Sequence, residues 1–311
     1  MKIKKLISFL AVAALMVSCG GTEPTPGSTP NPNPDDPTVP APNPDDGPIL
    51  QELPADPQPA KFENFTRRVM ILDHTGQNCG YCPGVMKILE SIDKNAKHKD
   101  KVVIVAAHNY GSDQMNSTLA TAARSKLKIG GGAPYVTYDH RTDDEYAQFG
   151  SGGTVATFMA RADKIIENFP AKAGISATVK EDGDNIVVYV GVKIAEAGKY
   201  TIGAWILEDG EVAYQSGGGD KFTHNHILRG GKNNNDIWGD ALDTDKSKVF
   251  AKGDKVGKII TIKKPAKLKD INKTRVAIFL CTPDKEGAAK SYVNNIIQCE
   301  VGGSVPFSYT E

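Results

Sequence analysis

The chain has 311 residues, with 37 Lys and Arg set against 37 Asp and Glu, so its formal net charge is zero. A neutral balance with no basic run excludes nucleic acid as a partner. Aromatic residues make up 7% and cysteines number 5, so each cysteine needs its own account.

Residues 1–19 read as a targeting segment. Lys2, Lys4 and Lys5 form a basic front, and Leu6 to Met16 form an apolar run too short to anchor stably across a bilayer. The run closes Leu15-Met16-Val17-Ser18-Cys19, which resembles a bacterial lipoprotein signal with cleavage before Cys19 and lipid on its thiol. An ordinary signal peptide with a chance cysteine is the plainer alternative. Gly20 replaces the aspartate that retains such proteins at the inner membrane in some bacteria, which points to the outer membrane. Loss of the three lysines leaves 34 basic against 37 acidic residues, a slightly acidic mature chain.

Residues 20–60 hold 13 of the 19 prolines, interleaved with Thr, Asn, Asp and Gly. The reading is a disordered, extended tether.

From residue 61 to 170 strands and helices alternate. Arg68 to Asp73 predicts a strand, and Pro83 to about Asn95 a helix with Val85, Met86, Leu89 and Ile92 on one face. Lys101 to Ala107 is a continuous apolar run, as in a strand covered on both sides. A helix is expected over Ser117–Leu127, a strand after Pro134, and a last helix capped near Thr154, its stripe running from Val155 to Phe169.

Cys79-Gly80-Tyr81-Cys82 stands where the first strand turns into the first helix. A helix N-terminus stabilises a thiolate on the leading, exposed cysteine, and the second is placed to resolve a mixed disulfide. A fixed structural disulfide and half of a zinc site are the competing readings of the same spacing. His74 and His108 each fall at a strand end near this turn. A cationic imidazole there lowers the Cys79 pKa, and a solvated loop histidine does not.

The stretch resembles the thioredoxin-fold family. Asp73, six residues before Cys79, has the spacing of the buried acid that in that family takes a proton from the second cysteine. Gly132-Ala133-Pro134-Tyr135 resembles the cis-proline segment, which implies that Pro134 packs against the disulfide and Ala133 offers backbone to substrate. Gly80-Tyr81 is similar to the dipeptide of periplasmic disulfide isomerases, which brings Tyr81 to the substrate side. Asn78 and Pro83 depart from the tryptophan and lysine usual in thioredoxins.

From residue 171 to 311 short β-rich runs recur between turn signals, with Asp182-Gly183 and Asp209-Gly210 as hairpin turns. About eight strands predict a β-sandwich, with an immunoglobulin-like type in view and strand order left open. The fold class is thus α/β plus all-β: a thioredoxin-like domain, then a β-sandwich. His224-Asn225-His226 puts two imidazoles on one strand, but no third ligand has useful spacing, so a structural role is expected and no metal or other cofactor. Cys281 and Cys299 each end a predicted strand. The pair is read either as a cross-strand disulfide or as two buried thiols.

The whole layout also resembles the Omp28-related outer-membrane lipoproteins. The features carrying this are the signal, the Pro-rich tether, Thr75 to Pro83, the segment His224 to Arg229 and the β-rich tail. Membership implies a lipid-anchored protein of the outer membrane, periplasmic or surface-exposed, for a family in which adhesion is among the suggested roles. Two functions follow. One is thiol–disulfide exchange on exported proteins, with Cys79 as nucleophile, Cys82 resolving and Asp73 accepting the proton. The other is a tethered binding module for a host or surface ligand, with the 79–82 disulfide permanent.

Overall fold

The computed structural model describes residues 49–285 and 287–310. The targeting segment, Cys19 and the tether as far as residue 48 lie outside the described residues.

In chain order the strands and helices are as follows. β1 (Val69–Thr75) leads through the Cys-x-x-Cys turn to α1 (Cys82–Asp93), then β2 (Val102–His108), α2 (Thr118–Lys126), β3 (Tyr135–Tyr138), β4 (Ala147–Phe149) and α3 (Val155–Asn168). The β-rich remainder opens with β5 (Ala173–Asp182), β6 (Asn185–Ile194), β7 (Gly198–Lys199), β8 (Thr201–Glu208), β9 (Glu211–Gln215) and β10 (Gly219–His224). It closes with β11 (Ile227–Gly231), β12 (Asp240–Ala241), β13 (Val249–Phe250), β14 (Lys255–Lys263), β15 (Thr274–Pro283), β16 (Ser291–Glu300) and β17 (Ser304–Val305).

Most helices end where their sequence says they should. Ser117 caps α2 by accepting from the Ala120 N–H, and Thr154 and Thr157 form a capping box at the start of α3. His224 and His226, expected on one strand, are divided: β10 ends at His224 and β11 begins at Ile227, with His226 between them at φ +59°.

Among the described residues the fold is mostly β-sheet. One sheet runs β16-β15-β8-β11-β2-β1-β3-β4, with β12 added on β8. β1 and β2 are parallel, and β3 is antiparallel to β1. The change of character near residue 170 marks the end of α3, not the end of the sheet. β11 pairs parallel with β2 and antiparallel with β8, and so joins the two halves. β14-β6-β5-β17 form a second sheet.

Strand alternation distributes the core over both sides of the large sheet. Val69 and Ile71 face α1 and α3, while Met70 and Leu72 face the α2 side with Trp205, Leu207 and Phe279. Ile202, Ala204 and Ile206 point the other way from Trp205, into a core closed by β5, β6 and β14. Gly203 lies under the Phe279 ring, and a Cβ there would sit 2.1 Å from it. Gly203→Ala is therefore expected to cost about 1–3 kcal/mol through overpacking, read as a lowered denaturation midpoint.

Two expectations are corrected. The tether does not extend to residue 60: Leu53 is buried and packs over Gly191, and Asp56 pairs with the buried Lys193 at 2.8 Å. Lys193 also donates to the Gln58 and Pro59 carbonyls, so the last proline-rich residues satisfy a buried ammonium. Cys281 and Cys299 form no disulfide, and both are buried thiols. They belong to the same hairpin, but Cys281 opposes Val293 and Cys299 opposes Val276. Cys281 faces the α2-side core and Cys299 the core between the sheets, so no side-chain rotation brings them together.

Candidate functional site

Cys79 and Cys82 are joined by a disulfide, Cα–Cα 5.4 Å, at the start of α1. Tyr81 is the N-cap and Pro83 lies in the first turn, where a missing N–H costs little. Asn78 ties the turn to the β2–α2 loop by donating to the Ser112 carbonyl at 2.6 Å. The Ala133–Pro134 bond is cis, and Tyr135 beyond it opens β3.

Asp73 is fully buried on β1, opposite Ala106 and Val136, and neither carboxylate oxygen has a partner. Burial pushes its pKa up to about 8. Neither His74 nor His108 is the solvated loop histidine of the plainer reading, for both are buried. His74 is buried with its pKa pushed down to about 3 by desolvation, and it meets the Asn109 amide. His108 is buried against Asp113, 2.7 Å from Nδ1 to the carboxylate.

The feature sequence reasoning missed is the cover. The β9–β10 hairpin folds over the Cys-x-x-Cys turn. Gln215, fully buried, donates from Nε2 to the Gly76 carbonyl at 3.1 Å and the Cys79 carbonyl at 2.9 Å. Gln77 returns the clasp by donating to the Tyr214 carbonyl, and the Ser216 N–H donates to the Gln77 carbonyl. Gly217 has φ +74°, and a Cβ there would lie 2.3 Å from the Gly80 carbonyl oxygen. The run Gly217-Gly218-Gly219 was the available signal: such a run permits close backbone approach as well as a loop. As a result Cys79, read from sequence as exposed, is only 4% exposed. Tyr81 (74% exposed) between the cysteines and Tyr214 (50%) and Val212 (60%) on β9 stand out as apolar groups in solvent. Phe149, over Gly132 beside Pro134, is also exposed.

The chain is similar in fold to HBP35 of Porphyromonas gingivalis. The match has a TM-score of 0.59 and 21% identity, and it covers 79% of each chain. A domain of the outer membrane lipoprotein Omp28 from the same organism aligns with 43% of this chain and 90% of its own, at 18% identity and a TM-score of 0.27. At that score the second alignment carries no argument, and at 21% identity the first speaks for fold alone. No protein-family model matches the sequence, and no curated protein sequence matches it.

Of the other sequence candidates, Ala133 and Pro134 share the cis bond just before Tyr135, which pairs with His74 on β1, while Cys281 and Cys299 lie in the cores of the β-rich half. Among the described residues, no group of three or more His, Cys, Asp or Glu is placed to hold a metal. Asn225 accepts from the Gly210 N–H, and Arg229 bridges Glu208 and Glu211, so this segment pins the β8–β9 turn. A separate cleft of about 960 Å³ passes Ile129, Gly130, Tyr135 and Cys281 but reaches neither Cys79 nor Cys82.

Proposed function

We propose that this chain is a thiol–disulfide exchange protein of the cell envelope, anchored by lipid on Cys19 to the outer membrane and acting on exported proteins. Residues 61–170 are its thioredoxin-like part and residues 171–311 its β-sandwich part. The strand order β2-β1-β3-β4 with an antiparallel β3, the helix starting at the disulfide and the cis Ala133–Pro134 bond support that assignment.

The observation that carries the reading is Asp73. A carboxyl group without a partner in an apolar interior costs several kcal/mol, and a scaffold disulfide has no use for it. A resolving cysteine does, because Cys82 must lose a proton before it attacks. Cys79 is the nucleophile, Asp73 receives the Cys82 proton, and Ala133 and Tyr81 meet the incoming chain. The exposed Tyr81, Tyr214 and Phe149 supply an apolar surface for an extended substrate segment.

The deciding measurement is the Cys79/Cys82 reduction potential of the purified protein. A value between about −270 and −120 mV is expected for exchange, and one below about −300 mV marks a structural bond. Replacing Cys82 with Ala is expected to leave a mixed disulfide on Cys79 that can be recovered from cells. An empty Cys79 together with a very negative potential defeats the reading.

One observation favours the second function, a surface binding or adhesion module with a permanent disulfide: the hairpin tip leaves Cys79 only 4% exposed. On the exchange reading the Gln215 clasp must open during turnover. On the binding reading a Cys79→Ser variant keeps its ligand.

A further inference from the structure

Beside Asp73, between β1, β2, α1 and the end of β10, lies a cavity of about 30 Å³, enough for one or two water molecules. Asp73 from β1, His108 from β2 and His224 from the end of β10 all line it, and α1 closes it with Met86, one turn beyond Cys82. Both Asp73 oxygens, Nε2 of His108 and both ring nitrogens of His224 lack a well-formed hydrogen bond. Buried polar atoms left unpaired cost about 1–3 kcal/mol each, so several of them around one pocket mark a place built for a small polar occupant. The two imidazoles stand edge to face, 5.3 Å between centroids. Asp113 fixes His108: its carboxylate, buried yet held below the usual range by the His108 contact and two backbone N–H groups, accepts a hydrogen bond from Nδ1–H. That leaves Nε2 as an acceptor.

We propose that His108 and His224 are positioning residues that, through water in this cavity, carry the proton of Asp73 out to solvent. The inference rests on the exchange reading above and gives its proton an exit. In the resolving step the Cys82 thiol gives its proton to the Asp73 carboxylate, and the thiolate attacks Cys79 Sγ. The Cys82–Cys79 bond forms, the bond from Cys79 to the substrate sulfur breaks, and the electron pair leaves on the substrate thiolate, which takes a proton from solvent. Asp73, now a carboxylic acid without solvent contact, passes its proton to the cavity water; each imidazole stays neutral, accepting at one ring nitrogen as it releases from the other, and the exposed Thr223 on the same cavity marks the way to bulk. His224 comes from the β-rich half and pairs with Glu211 at the base of the hairpin, away from the tip at Gln215 and Gly219 that opens in turnover. The charged groups around it are Glu90 and Asp93 on α1, Asp113 after β2, and Glu211 and Asp209 near the hairpin. His226 and Arg275 complete the set.

The test uses the full reduced chain and oxidised glutathione, following closure of the 79–82 disulfide against pH. His224→Gln and His108→Gln keep hydrogen-bonding capacity but carry no proton. Each is expected to slow closure about tenfold near neutral pH and to rejoin the unmodified protein at alkaline pH, where hydroxide takes the proton. Added imidazole should restore the rate in His224→Gln. In the unmodified protein, closure should slow about twofold in heavy water, a readout that needs no variant to fold. Unchanged profiles in both variants without imidazole rescue, while Asp73→Asn is slow, overturn the relay and leave the exchange reading standing. An unchanged rate in Asp73→Asn overturns both.

Discussion

Replacing Asp73 with Asn is expected to make the oxidised protein more stable at pH 8, by roughly 5 kcal/mol at about 1.4 kcal/mol per pH unit, and to slow exchange about 10²-fold. The stability argument follows from the sign of the shift. The carboxyl titrates at about 8 in the folded chain against 3.8 in a free one, because burial disfavours its charge. Between those values the folded state holds a proton that the unfolded state has lost, so stability falls as pH rises through the window. Four histidines act in the opposite sense. His74 and His140 are pushed down to about 3, and His224 and His226 to about 4, all by burial. Below about pH 6.5 the unfolded chain takes up protons at these sites that the folded chain refuses, so stability falls as pH drops. Denaturant titrations should therefore give a maximum at about pH 7 for the unmodified protein, where the proton uptake of the unfolded histidines balances the proton held by Asp73. In Asp73→Asn the acid limb remains and the decline towards pH 8 disappears. A variant that still declines there shows that another group is responsible.

Arg67→Met is expected to destabilise the fold by about 3–5 kcal/mol, because it strands a buried anion. Arg67 and Asp139 form an ion pair with both side chains shut off from solvent. Asp139 also accepts from the Met70 N–H at 2.8 Å, and Arg67 donates to the Phe169 carbonyl at 3.1 Å and the Val293 carbonyl at 3.3 Å. One guanidinium thus secures β1, the end of α3 and β16. The double variant Arg67→Met with Asp139→Asn removes the stranded charge and should recover much of the loss. Urea midpoints for the two singles and the double give the coupling. Additive losses would mean that the pair does not act as a unit.

Local elements were legible because their signals are local. Caps at Ser117 and Thr154, the apolar run before Ala107 and the spacing from Asp73 to Cys82 each depend on neighbours in the chain. What escaped depends on distant partners. β4 has three residues and no pattern of its own. The hairpin over the disulfide hangs on Gln215 meeting carbonyls some 139 positions away. His224, expected to be structural, forms a wall of the Asp73 cavity, a neighbourhood its own segment does not announce. The cysteine pair misled because strand ends were matched without regard to which side of the sheet each faces.

The ladder between β2 and β11 has a mechanical meaning. The Ala106 N–H donates to the His226 carbonyl at 2.7 Å, and Ile227 sits in register with the same alanine. The two parts therefore cannot hinge about the junction after α3. A pull on the distal part is delivered as shear to the strand that carries Ala106, one ladder step from Asp73. A fragment cut near residue 170 would bare the edge of β2, an open invitation to aggregate. Whatever the distal part grips, it grips with the sulfur chemistry rigidly attached.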